Sequence, residues 1–231
     1  MAVYLQHIHT LRSPSASSRL FDAVEADYLP LVERFDVRLV GYWATTSIQG
    51  RSGEAVAIWE FDDYRHLARL ARAEHGADAD AAAFRSWSGH QDEWVERTEG
   101  LICLPSSTTP TVAELKEQGA QAAMVCHETV HCAPNRHSEY PERLNEMWTN
   151  RFNRNAEHPK QRQTIGLYYA KWTNTVAVNI WGLGQTWDTV TIWDEEWEKD
   201  PNFDLWNTLG REIRDDFFDR FMVPAPFSTV R

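Results

Sequence analysis

The chain has 231 residues, 42% of them hydrophobic and 12% aromatic, enough to pack one large domain or two of ordinary size. Thirty-four acidic residues against 23 basic ones leave a net charge of -11, which disfavours attraction to phosphate backbones, so no nucleic acid is expected as a partner. No apolar run reaches the roughly 18 residues of a bilayer span and no basic-then-apolar leader opens the chain, so no membrane partner and a cytoplasmic location are expected. Three cysteines (Cys103, Cys126, Cys132), without Cys-x-x-Cys spacing, make neither a disulfide framework nor a structural zinc site.

In chain order the elements recur. A strand over Val3 to Leu11 is followed by a helical pattern from Ser17 to Arg34, with serines near its start and Pro30 expected to break it near its end. Two β-branched, aromatic strands follow, Leu39-Val40-Gly41-Tyr42-Trp43 and Ala57-Ile58-Trp59-Glu60-Phe61. Further on, Trp94-Val95-Glu96-Arg97 leads into a short apolar tail with a proline.

The second half repeats this order. Thr164-Ile165-Gly166-Leu167-Tyr168 and Asn179-Ile180-Trp181-Gly182-Leu183 match the two middle strands, Ser138 to Asn155 matches the helix, and Phe217-Phe218-Asp219-Arg220 matches the segment at Trp94. Leu205, Leu209, Ile213, Phe217 and Phe221 recur every fourth residue, which reads as an amphipathic helix covering a sheet. The expected organisation is a ferredoxin-like βαββα repeat over residues 1–108, a linker over 109–120 and a second repeat over 121–231. The fold class is α+β, with antiparallel sheets forming a barrel and helices outside, closed within the chain or through a homodimer.

The run from Leu39 to Trp43, the run from Val56 to Tyr64 and the ending Val223-Pro224-Ala225-Pro226-Phe227-Ser228 resemble NIPSNAP-type members of the dimeric α/β-barrel superfamily, here tandem duplicated. The resemblance spans nearly the whole chain, although His7 and His9 stand where that family would have Arg and Tyr. It implies a fold shared by cofactor-free monooxygenases, haem-handling enzymes, isomerases, lyases and small-ligand binders, and fold alone does not choose among them.

His127-Glu128-Thr129-Val130-His131 spells HExxH, the zinc metallopeptidase signature, which requires a helix so that both histidines reach one metal. His131 lies 50 residues before Trp181 as His9 lies 50 before Trp59, so the motif falls on the first strand of the second repeat. On a strand the two histidines are about 13 Å apart, too far for one zinc. A zinc-dependent hydrolase at His127 and His131 is therefore the weakest alternative, and no metal is assigned.

Strand alternation puts Leu5, His7 and His9 on one face and His127, Thr129 and His131 on the corresponding face of the other copy. These faces are expected to turn into the space between the sheets, with His9 and His131 related by a pseudo-twofold axis. Trp59, Trp181 and Asn179, joined by Trp43 and Tyr168, would wall the same cavity, while Ile58 and Ile180 face the helices. His66, His75, His90, His137 and His158 are expected at the surface.

Imidazoles in an aromatic pocket are suited to proton transfer near neutral pH. The expected function is a cofactor-independent enzyme using His7, His9, His127 and His131 for acid/base catalysis on an apolar, cyclic small molecule. Isomerase, cyclase, lyase and monooxygenase chemistry all fit. The alternative is a non-catalytic module that binds the same apolar or aromatic ligand.

Overall fold

The structure, a computed structural model, describes residues 1–46, 52–145, 162–187, 208 and 210–231. Its first half runs β1 (Val3–Leu11), α1 (Ser17–Ala23), a π-helical turn (Val24–Tyr28), α2 (Leu29–Glu33), β2 (Arg38–Thr45), β3 (Glu54–Phe61), α3 (Tyr64–His75), α4 (Ala79–Gln91) and β4 (Val95–Pro105). After α5 (Val112–Glu117) come β5 (Met124–Cys132), α6 (Glu139–Leu144), β6 (Arg162–Ala170), β7 (Val176–Leu183) and β8 (Arg214–Pro224). No helix among the described residues is long and apolar enough to cross a membrane.

All strand pairs are antiparallel, in the order β4-β1-β3-β2 for the first half and β6-β7-β5-β8 for the second. The halves join along β2–β8 and β4–β6 into a closed eight-stranded barrel. The two seams correspond: Trp43 stands opposite Pro224 and Tyr168 opposite Pro105. Each proline lies in the last position of its strand, where the missing N–H costs the ladder least. Closure takes place within one chain, so the barrel needs no second subunit.

Two expectations about helices are corrected. Phe217 and Phe221 lie on β8, not on an amphipathic helix; residues 210–213 are still helical, and Leu205 and Leu209 fall outside the described residues. A spacing of four is an even number, so it keeps residues on one face of a strand as well as one face of a helix, and periodicity at that spacing cannot separate the two. Each repeat thus has four strands where the sequence pattern showed three. Pro30, second, does not stop its helix, which continues to Glu33. The π turn immediately before it widens the backbone where the proline ring would collide with the carbonyl four residues earlier. The helix expected over Ser138 to Asn155 is seen as α6; its remainder lies outside the described residues.

Apolar residues form three clusters. One unites all eight strands, with Tyr4, Val40, Trp43, Val56, Ile58, Cys103, Val125, Ile165, Tyr168, Val178, Ile180 and Met222, and is the barrel lumen; Val112 and Leu115 of α5 cap it. The other two lie outside, between each sheet and its own helices. Buried polar pairs cross the lumen between the repeats: Arg220 Nε donates to Glu54 Oε2 at 2.6 Å, and His127 Nε2 lies 2.9 Å from Gln6 Oε1.

Candidate functional site

The first sheet and its helices enclose a cavity of about 280 Å³. β1 supplies His7 and His9, because its even residues Tyr4, Gln6 and Ile8 turn into the lumen and its odd ones must turn out toward the helices. Trp59 of β3 and Tyr42 of β2 complete the sheet wall. The π turn aims Val24 and Tyr28 at the same space, and α4 closes it with Phe84 and Trp87. A single π turn in a helix is a feature that recurs at functional sites. Arg85 and Ser88 of α4 and Thr98 of β4 line the cavity and are exposed, which marks its mouth.

The walls are an aromatic box. Tyr28 stacks on Trp87 with centroids 5.0 Å apart, meets Trp59 edge-on at 5.4 Å and touches Phe84 at 6.4 Å. His9 lies parallel to Tyr42 and 5.7 Å from it, and His7 is tilted against His9 at the same separation. His9 Nδ1 is held by Thr98 Oγ1 at 2.8 Å, which leaves Nε2 without a hydrogen-bond partner among the described residues. Neither nitrogen of His7 has one. The Tyr42 hydroxyl and the Trp59 indole N–H are likewise buried and unpartnered.

Burial governs the charges. Desolvation lowers the pKa of His7 from 6.5 to about 4, and desolvation together with repulsion by His7 lowers that of His9 to about 3, so both rings are neutral at pH 7. Burial and the nearby Glu74 carboxylate push the Tyr28 phenol up, and burial pushes Tyr42 well up, so both remain protonated donors. Glu74, on α3, is raised by desolvation as well.

Of the nine residues expected in one site, the structure brings three together: His7, His9 and Trp59. These three lie on the helix side of their sheet and not between the sheets as expected, whereas His127, Trp43 and Tyr168 do lie between the sheets; what separates His127 from His7 and His9 is a one-residue slip. Leu5 stands opposite Trp59 and Cys126 opposite Trp181, so Leu5 corresponds to Cys126, Gln6 to His127 and Thr10 to His131. Because strand faces alternate, a slip of one reverses every side chain. His127 is therefore in the lumen against Gln6 and Arg220, fully buried, with its pKa lowered to about 3 by desolvation and the neighbouring guanidinium. His131 is exposed, and the HExxH segment is strand β5 throughout.

The faces of Ile58 and Ile180, and of Trp59 and Trp181, are the reverse of those expected, because the helices cover the other side of each sheet. Trp43 and Tyr168 lie in the lumen, the side expected of them, but with Ile58 and Ile180, which do not face the helices. The register of β2 shifts between Leu39 and Gly41, and that of β6 between Thr164 and Gly166, so each bulge turns the following aromatic inward over its glycine. Trp181 and Asn179 occupy the outer face of the second sheet. There Asn179 donates to Glu128, and Glu128 lies 3.8 Å from Arg214. His66 is buried rather than exposed, bonded to the Phe35 carbonyl, and His137 is half-buried; His75 and His90 are exposed as expected, His75 at the rim of the cavity, and His158 lies outside the described residues.

Tyr28, Tyr42, Phe84, Trp87, Thr98 and Glu74 were not anticipated. The bulge at Gly41 reverses parity, so Tyr42 and not Trp43 faces the cavity. Thr98 lies on β4, a strand whose run of exposed polar residues from Glu96 to Glu99 carries no alternation. The helical aromatics carry no local signal that separates a cavity wall from a core.

No family profile and no curated protein sequence matches the chain. Solved structures do match. An anthrone oxidase-like protein superposes with a TM-score of 0.63 at 6% identity, over 98% of this chain and 94% of its own. A candidate monooxygenase from Lactobacillus acidophilus gives 0.60 at 9% identity, over 97% and 94%. This is the dimeric α/β-barrel fold. Structures similar to this single-chain α/β barrel also include a NIPSNAP-like domain protein from Burkholderia xenovorans, 20% identical over 48% of this chain and 90% of its own, with a TM-score of 0.41.

Proposed function

We propose that the cavity of the first repeat is the active site of an enzyme that works on an apolar, cyclic small molecule by moving a proton with His7 and His9, without an organic cofactor. The observation that carries this reading is the pair of neutral imidazoles with unpartnered ring nitrogens on the wall of an aromatic box. About 280 Å³ is at the small end of ligand pockets and suits a compact ring system. Stacking on Tyr28, Tyr42, Trp59 and Trp87 would hold that ring and exclude water.

A lone imidazolium is costly in this setting, which is why both pKa values are low. An imidazolium formed in the same step as a substrate enolate is a different matter, because the opposite charges arise a few ångströms apart in a low-dielectric space and stabilise each other. The site therefore favours abstraction of a proton that a carbonyl acidifies, either beside it or, as at C10 of anthrone, through the conjugated ring. The enolate so formed would be the common starting point for isomerisation, cyclisation, elimination or reaction with dioxygen.

A ring ketone is the natural probe, and the structural neighbour named for an anthrone oxidase supports trying anthrone itself. Turnover is followed by oxygen uptake and anthraquinone absorbance, and binding by quenching of tryptophan fluorescence. The expected result is turnover that His7→Ala and His9→Ala abolish while binding persists. Unchanged turnover in both variants removes the histidines from the mechanism. Binding of anthrone without turnover or proton exchange in the unmodified protein favours a binding module instead.

A further inference from the structure

We propose that Glu74 is a second proton-transfer group of this cavity, facing the histidines from the opposite wall, and that the pair interconverts the keto and enol forms of a ring ketone. The inference rests on the function proposed above and narrows it to one reaction class.

α3 brings the carboxyl in. Asp63 caps its start by accepting from the His66 N–H, and Leu70 and Ala73 turn the helix face they share into the core. Glu74 follows Ala73 and lies one turn after Leu70, so it is carried to the edge of that face, where it is half-buried and lines the cavity. It is the sole carboxylate among the described lining residues, and it has no hydrogen-bond or ion-pair partner among the described residues. A glutamate on a solvated helix face would be fully exposed, and a structural one would be paired.

The groups that face it are few. Tyr28 of the π turn is close enough to feel its charge, His75 is its neighbour on α3, Arg85 lines the cavity from α4, and His7 and His9 line it from β1. Arg85 donates to the Gly76 carbonyl and not to Glu74. Desolvation raises the Glu74 carboxyl and lowers the imidazoles, so burial pushes the groups on both walls toward their neutral forms.

The step balances without an oxidant. A C–H bond acidified by the ketone, the C10–H in anthrone, breaks and its proton passes to a ring nitrogen of His7. The freed electron pair enters the conjugated ring as a new carbon–carbon double bond, the ring double bonds between shift, and the carbonyl π pair moves to oxygen. That oxygen takes the proton of the Glu74 carboxyl, leaving enol, imidazolium and carboxylate. The reverse step, or proton exchange through the mouth, restores the site.

The test uses anthrone without oxygen in deuterated buffer, with loss of the C10 proton signal followed by NMR. Unmodified protein is expected to speed exchange. Glu74→Gln, which keeps size and polarity, is expected to slow it by about a hundredfold, the low end of what one acid/base group contributes, with fluorescence-quenching affinity unchanged. Exchange by the unmodified protein should fall on the alkaline side as the carboxyl ionises, and the glutamine variant should lose that limb. Glu74→Asp, which keeps an acid on a shorter arm, is expected to retain part of the rate, and it replaces the glutamine variant if the latter does not fold. Wild-type exchange in Glu74→Gln together with slow exchange in His7→Ala overturns the role of Glu74 and leaves the histidine site standing. Equal loss of exchange and affinity in Glu74→Gln also overturns it, because the carboxyl would then only bind. Wild-type exchange in both variants rejects the site itself.

Discussion

The imidazole of His9 lies within 9° of parallel to the ring of Tyr42, 5.7 Å away, with its Nδ1 tied to Thr98 on the neighbouring strand. Two contacts at right angles to each other thus fix a ring that has only two torsions to lose. The stacking holds its plane and the hydrogen bond holds its rotation within that plane.

Thr98→Val keeps the shape of the side chain and removes that hydrogen bond. A hydrogen bond of this kind contributes about 1 kcal/mol net to stability, so the folded state should lose about that much and turnover on the ring-ketone probe should drop several-fold as His9 loses its fixed orientation. A variant as active as the parent would show that the orientation of His9 does not matter to the chemistry.

Acid should destabilise the protein well before its carboxylates titrate in bulk. His7, His9 and His127 have folded pKa values of about 4, 3 and 3 against 6.5 when unfolded. Below pH 6.5 the unfolded chain takes up protons that the folded chain refuses, so stability is complete above that pH and declines as pH falls toward 3. Urea midpoints measured from pH 7 to pH 4.5 should decrease steadily. His127→Gln, which retains a polar side chain in the lumen but cannot titrate, should make that slope shallower; an identical slope would mean that His127 is protonated as readily folded as unfolded.

Gly41 and Gly166 carry the rings of Trp43 and Tyr168. A methyl group at Gly41 would come within 2.0 Å of Trp43, and one at Gly166 within 2.2 Å of the Tyr168 hydroxyl. Each alanine substitution should displace a fully buried aromatic and cost about 1–3 kcal/mol or more. Thermal melts read this directly, and a neutral melt would show that the bulges relax cheaply.

Arg220 and Glu54 join β8 to β3 across the lumen, both under a tenth exposed. Breaking a buried pair by removing one partner costs about 3–5 kcal/mol. Arg220→Met is expected to lower the urea midpoint accordingly, whereas Arg220→Met combined with Glu54→Leu should recover most of it. A double variant no better than the single one would place the cost in lost packing around the guanidinium.

The duplication and six of the eight strands are legible from residues alone, because β-branched and aromatic runs such as Leu39 to Trp43 allow few other readings. Strand parity was less secure. Counting back 50 residues from each tryptophan aligns His9 with His131, although the loops between differ by one residue, and that slip gives His127 and His9 one face when they stand on opposite faces. Parity within β1 alone was right, so His7 and His9 stayed together and Trp59 stayed with them. What an alternation pattern does not reveal is which side of the sheet faces the helices. In β1 the lumen side holds Tyr4, Gln6 and Ile8, and the outer side Leu5, His7 and His9, so each is mixed in polarity.

Covalent continuity between the two halves changes what dilution does to the barrel. Where two separate chains must meet to close the sheets, the folded fraction follows protein concentration by mass action. Here the partner sheet is always tethered, so closure is a first-order event and the assembled state persists at any concentration. The tether also ends the requirement that both halves change together. Glu128 and Val130 now stand where the first half has His7 and His9, a divergence that identical subunits encoded once cannot make.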